Sequence, residues 1–284
     1  MLYWQQNQCY SSFAIIILFN IVKKITMFHF ELDLFNVSIL ILAAISAGFI
    51  NALAGGGTLI TFPVLIALGI PPIAANVTNT VALCPGYFAG TYAQKDDFIV
   101  MKKILWLIIP VAVLGGIAGG VLLIYTPEKS FRSIIPYLIF AASAILAIQK
   151  PLKKTLAKRN EKTNSGKTNT LSLFGFVFLS AIYGGYFGAG LGVILMAVLG
   201  LLLHESMTRI NALKQATSFC INIVAAVYFS FSGLVIWPVV AVMIAGSLTG
   251  GMLGGKLAGK INPEILRWIV IVTGFSLALY YFIK

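Results

Sequence analysis

The chain has 284 residues, of which 59% are hydrophobic and 10% charged, and it carries a formal net charge of +12. A soluble domain of this length cannot hide that much apolar surface, and repeated charge-free runs of about 20 residues point to an all-α polytopic membrane protein. The short alternating segments of a transmembrane β-barrel are not evident, and no soluble region is large enough to carry separate chemistry.

Residues 1–33 read as an N-terminal extension. Ala14 to Val22 is apolar but too short to span a bilayer, and Lys23 and Lys24 follow it without a small-residue cleavage site. Residues 1–26 are expected to be dispensable, an interfacial anchor helix being the alternative. From Leu34 to Gln94 there is no charged residue at all. Ten apolar segments follow in order, near 34–52, 56–70, 74–93, 104–124, 131–149, 170–187, 190–203, 208–231, 235–257 and 264–283. The second and seventh are short. At a rise of 1.5 Å per residue, about 14 residues reach roughly 21 Å, less than a hydrocarbon core of roughly 30 Å. The expectation is therefore about eight full spans plus two short, glycine-broken segments, or up to ten crossings.

The positive charge is placed as a topology signal rather than a nucleic-acid surface. Lys150, Lys153, Lys154, Lys158, Arg159, Lys162 and Lys167 cluster in the 150–169 linker, opposed by Glu161. Such a loop reads as cytoplasmic. With ten crossings, Lys95, Lys102, Lys103, Arg209, Lys256, Lys260 and Arg267 fall on the same side, and both termini lie outside. Cys9, Cys84 and Cys220 form no CxxC and no metal spacing. His29 and His204 sit near segment ends, and no Walker loop or triad is recognisable. No catalytic residue, metal or cofactor is expected.

The linker divides two similar halves, 34–149 and 170–284. "GFINALAGGGTLITFP" precedes "PPIAANVTNTVALCPGYFAGTYA", as "AIYGGYFGAGLGVILM" precedes "TRINALKQATSFCINIVAAVYF". Gly55, Gly56 and Gly57 match Gly188, Ala189 and Gly190, and Asn76 matches Asn211. An odd number of crossings per half makes the repeats inverted. Backbone broken at membrane depth is tolerated only inside protein or beside a polar cavity, so matching breaks flanked by Asn51 and Tyr183 suggest a central site. The spaced glycines Gly115, Gly116, Gly119, Gly120, Gly250, Gly251, Gly254 and Gly255 read instead as close helix packing.

All eight acidic residues lie at segment edges or in loops. A proton relay or cation site usually needs a deep carboxylate, although backbone carbonyls are able to hold Na⁺. An anion needs N–H donors, helix N-termini, hydroxyls and a cation. The first half offers Thr58, Asn76, Thr78, Asn79 and Thr80; the second offers Asn211, Lys214, Gln215, Thr217, Ser218 and Asn222. Some of these hydroxyls are expected to serve interhelical packing. Lys214 lies about 9 Å into its helix and either snorkels to the cytoplasmic edge or faces a ligand.

At these motifs the chain resembles the TauE/SafE family of sulfite-exporter-like permeases, from about Leu34 to the C-terminus. The second copy departs from the family pattern near Ala189–Leu191 and at "LKQAT", and Thr80 stands where a lysine often follows the first-half Asn. The resemblance implies a secondary transporter of a small anion, such as sulfite or an organosulfonate, in the bacterial plasma membrane. The substrate-binding candidates are Asn51, Gly55, Gly56, Gly57, Thr58, Asn76, Asn79, Gly188, Gly190, Asn211, Lys214 and Gln215. An anion-selective channel and a structural membrane subunit remain the alternatives. The expected partners are the anion and the bilayer, with no nucleic acid; the coupling ion and homo-oligomerisation are open. A cysteine at position 165, labelled in intact cells, is expected to react only with a membrane-permeant reagent; reaction with an impermeant one places the linker outside.

Overall fold

The computed structural model describes residues 33–162, 170–203, 205–258, 260 and 264–283. The expectations for residues 1–26, His29 and His204, and the last part of the linker, lie outside the described residues. Ten helices are present among those described: α1 (Leu34–Leu53), α2 (Thr58–Ala67), α3 (Pro72–Ala93), α4 (Lys95–Tyr125), α5 (Glu128–Lys162), α6 (Thr170–Tyr186), α7 (Leu191–Leu202), α8 (Met207–Ser230), α9 (Trp237–Leu257) and α10 (Glu264–Ile283). They coincide with the ten apolar segments. Two run longer than hydropathy alone suggests. α4 begins at Lys95, so Asp96 and Asp97 sit in its first turn, where carboxylates favour a helix N-terminus. α5 continues to Lys162, so the basic linker begins as helix.

Among the described residues, five helices are long and apolar enough to cross a membrane: α1, residues 99–125 of α4, residues 128–148 of α5, α8 and α9. α3 has 22 residues, which reaches about 33 Å, but its face is too polar to stand out by hydropathy. α2 and α7 have 10 and 12 residues, reaching about 15 and 18 Å, and so span only part of a bilayer. Large apolar side chains face outward along the bundle, with Trp106 at 70% and Leu179 at 63% exposure, as lipid contact requires. Trp237, at the start of α9, is also exposed, as an interfacial anchor would be.

The packing exchanges elements between the halves. α9 lies against α1 and α3, while α4 lies against α6 and α8. Each half thus lends its fourth helix to the other. The spaced glycines make this possible. A Cβ at Gly246 would stand 2.7 Å from the Ile41 carbonyl oxygen, and one at Gly254 would stand 2.5 Å from that of Phe49. At Gly250 it would overlap the Ile45 carbonyl oxygen. These contacts advance four residues at a time on both helices, so α1 and α9 run the same way. Gly115 meets Phe178 and Gly119 meets Ile182 in the same progression, so α4 and α6 also run together. Without a solvent-driven hydrophobic force, close backbone approach of this kind is what holds helices together in lipid.

α3 and α8 cross in the middle of the bundle in opposite directions. Gln94 bonds Asn211, Gly90 abuts Gln215, and the Phe88 and Phe219 rings lie 5.7 Å apart. α5 and α10 likewise run antiparallel, with Tyr137 against Phe282 and Phe140 against Phe275. Gly119→Ala is expected to lower the melting temperature of the purified protein, because its methyl group would overlap the Ile182 carbonyl; overpacking costs about 1–3 kcal/mol. Gly175→Ala, whose Cβ meets nothing within 4 Å, is the control expected to melt like the parent chain.

Candidate functional site

The two breaks are built alike. After α1, the N–H groups of Ala54 and Gly55 both donate to the Ile50 carbonyl, at 2.8 and 2.9 Å. After α6, Phe187 and Gly188 both donate to the Tyr183 carbonyl, at 2.9 and 3.2 Å. α2 restarts with Ile60 donating to Gly57, and α7 with Val193 donating to Gly190. Gly55, Gly56, Gly188 and Gly190 have φ of 86°, 100°, 73° and 75°, the left-handed region where side chains are strained. The hydrogen-bonded turn at the helix end is repeated, but φ agrees only at Gly55 and Gly188: Gly56 is left-handed where Ala189 is not, and Gly190 is left-handed where Gly57 is not.

The breaks also touch. A Cβ at Gly55 would lie 2.7 Å from the Gly192 Cα, and one at Gly192 would lie 2.8 Å from the Gly55 Cα. One at Gly57 would overlap the Ala47 carbonyl, which shows α2 folding back beside α1. By contrast, a Cβ at Gly56 meets the flexible side chains of Leu146, at 3.4 Å, and Leu59, at 3.9 Å. α2 and α7 thus begin near one another at the centre. α2 ends beside Pro71, Arg132 and Tyr281, which line a cavity of about 650 Å³ at one end of the bundle. α7 leads toward the Glu205–Arg209 ion pair, 3.0 Å, at the start of α8.

Each break is braced by one side chain. Asn51 Oδ1 accepts from the Gly57 N–H at 2.7 Å, and the Tyr183 hydroxyl donates to the Ala189 carbonyl at 2.5 Å. The two matched asparagines then reach across the halves. Asn211 of α8 donates to the Ala52 carbonyl, 3.2 Å, at the end of α1 and to Gln94 Oε1, 2.7 Å. Asn76 of α3 donates to the Tyr186 carbonyl, 2.8 Å, at the end of α6. A broken helix leaves its last carbonyls without intrahelical partners, and these carboxamides supply donors where water is absent.

Lys214 is fully buried, and its ammonium donates to the Asn51 carbonyl at 3.1 Å. Its Cδ would stand 3.5 Å from a Cβ at Gly192. The side chain therefore points to the crossing and not out to the cytoplasmic edge, so the snorkelling alternative does not describe it. An ammonium held inside a bilayer is costly, by about 3 kcal/mol or more, unless it has partners. The carbonyl released at the end of α1 is one such partner.

The remaining candidates divide. Gln215 is buried, with its Nε2 3.4 Å from the Tyr87 carbonyl. Asn79 is buried one turn beyond Asn76 on α3, and Thr58 is buried at the start of α2. Thr80 and Thr217 donate to carbonyls of their own helices, so those hydroxyls are spent locally. Thr78 accepts from Ile236 N–H at 3.0 Å and so serves the start of α9. Two participants were not among the sequence candidates. Gln94 accepts from Asn211, and its position closing the charge-free run was the available signal. Gly192 forms the crossing with Gly55, and its signal was its place two residues after the second break.

A family model described as Sulfite exporter TauE/SafE matches residues 40–281. A "Probable membrane transporter protein" of Haemophilus influenzae is 28% identical over 244 residues, covering 85% of this chain and 92% of its own length. "Probable membrane transporter protein ORF9" of a Sinorhizobium species is 28% identical, covering 84% and 90%. "Probable membrane transporter protein YfcA" of Escherichia coli K12 is 27% identical, covering 73% and 75%. No solved structure matches the chain significantly.

Gly55→Ala is expected to abolish transport while leaving membrane insertion intact, since its methyl group collides with the Gly192 backbone. Gly69→Ala separates strain from contact: Gly69 has φ of 83° but open space around its Cβ. It is expected to lose only about 1–3 kcal/mol of stability to backbone strain and to keep its flux. Equal flux in both variants would mean that the crossing is not part of the transport path.

Proposed function

The chain belongs to the sulfite exporter TauE/SafE family, and from that premise we propose that it is a secondary transporter of a small anion, sulfite and organosulfonates being the first candidates. Its place is the bacterial plasma membrane, with the basic linker cytoplasmic and both termini outside. Each half contributes five membrane segments, of which α2 and α7 are half-length arms, and an odd number of crossings per half puts the linker and the termini on opposite sides. Residues 34–149 and 170–284 are inverted repeats. Supporting this, the equivalent helices α3 and α8 run antiparallel, as do α5 and α10, and every major packing pair has a counterpart in the other half.

The observation that carries the function is the buried crossing of two helix starts beside Lys214. The first N–H groups of α2 and α7 carry partial positive charge, and Lys214 adds a full one. An anion at membrane depth needs such a field, and this one is assembled where both repeats meet. In this conformation the Gly55 and Gly192 backbones are in contact and Asn51 occupies the Gly57 N–H. An anion enters only if the two arms separate, which favours alternating access over an open pore. Rocking of the group α1, α3 and α9 against the group α4, α6 and α8 would release the Lys214 ammonium from the Asn51 carbonyl.

The test is anion uptake by the purified protein in liposomes, with sulfite, sulfate, thiosulfate and sulfoacetate compared and with counterflow measured. Saturation and counterflow are expected for a carrier. Lys214→Gln should raise the half-saturating anion concentration by about tenfold or more, equivalent to about 1.4 kcal/mol, and Lys214→Arg should raise it less. Wild-type kinetics in both variants, at equal expression, would remove Lys214 from the anion site.

A further inference from the structure

An anion leaves part of this centre unexplained. Among the described residues, the buried side-chain atoms without a hydrogen-bond partner are Asn76 Oδ1, Asn79 Oδ1, Asn211 Oδ1, Gln215 Oε1, Ser218 Oγ and Arg267 Nη1. Four of the six are amide oxygens on α3 and α8. Amide oxygens accept; they repel an anion and attract an N–H, an O–H or a cation. The orientation of Asn76 follows from its partner. Its NH₂ donates to the Tyr186 carbonyl, and turning the amide over would set oxygen against oxygen.

The repeat shows what one of these oxygens lacks. Asn79 follows Asn76 by three residues, as Lys214 follows Asn211. At the end of α1, the Gly55 N–H turns back to Ile50, which releases the Asn51 carbonyl, and the Lys214 ammonium from the second half takes it. At the end of α6 the same turn recurs. The Gly188 N–H goes to Tyr183, which releases the Gly184 carbonyl. Here the matching side chain is Asn79, which is shorter, uncharged and 1% exposed, with an oxygen that has no donor.

We propose that a monovalent metal cation, Na⁺, binds at the end of α6, held by Asn76 Oδ1, Asn79 Oδ1 and the Gly184 carbonyl, and stands where the Lys214 ammonium stands in the other half. The donor set consists of neutral oxygens. Among the described residues, Glu128 and Glu264 sit in the first turns of α5 and α10 and no carboxylate lies deeper in a span, so a divalent ion would lack the charge compensation it needs. The C-terminal end of α6 carries the negative end of its dipole, which favours a cation there. The Asn211 and Gln215 oxygens do not form a second cation site, because Lys214 lies between them on the same helix and already supplies positive charge. As the coupling ion, the cation rests on the transporter reading; as a bound ligand, it is measurable without transport.

The experiment uses the full-length chain, purified in detergent, with melting followed as NaCl replaces choline chloride at constant chloride. Na⁺ is expected to raise the melting temperature saturably, because a ligand that binds only the folded state stabilises it, while K⁺ and choline are expected to act only as salts. Asn79→Ala should weaken the apparent Na⁺ affinity by about tenfold or more. Asn79→Lys should abolish the Na⁺ response, since a tethered ammonium would fill the site. No Na⁺-specific shift in the parent chain, or an unchanged shift in both Asn79 variants, overturns the proposal. If Asn79→Lys fails to fold, equilibrium binding of radiolabelled Na⁺ to Asn76→Ala decides: unaltered binding overturns it, and weakened binding supports it. Anion uptake by liposomes in Na⁺-free buffer, with no Na⁺ binding detected, would sink the cation site while leaving the transporter reading intact.

Discussion

Backbone N–H and C=O groups have no water to turn to inside a bilayer, and the centre of this protein is organised by that constraint. Two helices stop at membrane depth, so each leaves carbonyls behind and presents N–H groups ahead. Five nearby polar side chains can be understood by which of these each serves. Asn51 takes an N–H of the first break, and Tyr183 gives a hydroxyl to a carbonyl of the second. Asn76, Asn211 and Lys214 reach from the opposite helices to the released carbonyls. Satisfying the breaks internally ties the two halves together, because the donors for each broken helix come from the other half's sequence, or from α8 across to α1.

The same exchange appears in the packing. α4 and α9 lie against helices of the opposite half, and their glycines allow carbonyl-to-Cα approach over several turns. An element bound both ways is stiff along its length but free to pivot about the crossing of α3 and α8. That crossing carries Phe88 against Phe219 and Gly90 against Gln215, and because α3 has no charged residue no ion pair locks it to α8. Two groups of helices, α1, α3 and α9 against α4, α6 and α8, are the natural bodies for a rocking motion.

Much of the fold was legible because lipid imposes a simple rule: apolar runs of sufficient length are helices, and breaks announce themselves as glycine. The ten segments, the two short arms and the duplicated glycine motif all follow from that rule. Hydropathy misjudged the starts and ends of α4 and α5, because helices continue into the aqueous phase when their residues have good helix propensity, as the Lys- and Glu-bearing turns do. The site was legible by type and not by partnership. Asn76 and Asn211 stood out from their matched positions, but spacing along one chain says nothing about which broken helix each would reach. Gln94 was passed over because a glutamine at the end of an apolar run looks like a border residue. The direction in which Lys214 points depends on the position of Gly192, and only the folded crossing fixes that.

The departures from symmetry are as informative as the symmetry. A perfect inverted repeat would present the same groups to both sides of the membrane and give the two directions of motion equal standing. Here the break after α1 is braced by an acceptor and approached by an ammonium, while the break after α6 is braced by a donor and approached by a carboxamide. The two breaks therefore differ in charge although the ends of α1 and α6 make the same hydrogen-bonded turn. Opposite charge preferences at neighbouring helix ends are the feature on which both the proposed anion site near Lys214 and the proposed cation site at the end of α6 rest. Since α3 and α8 carry these two preferences and cross directly, moving either helix changes both sites at once, and that shared movement is the simplest physical route by which occupancy at one end can be felt at the other.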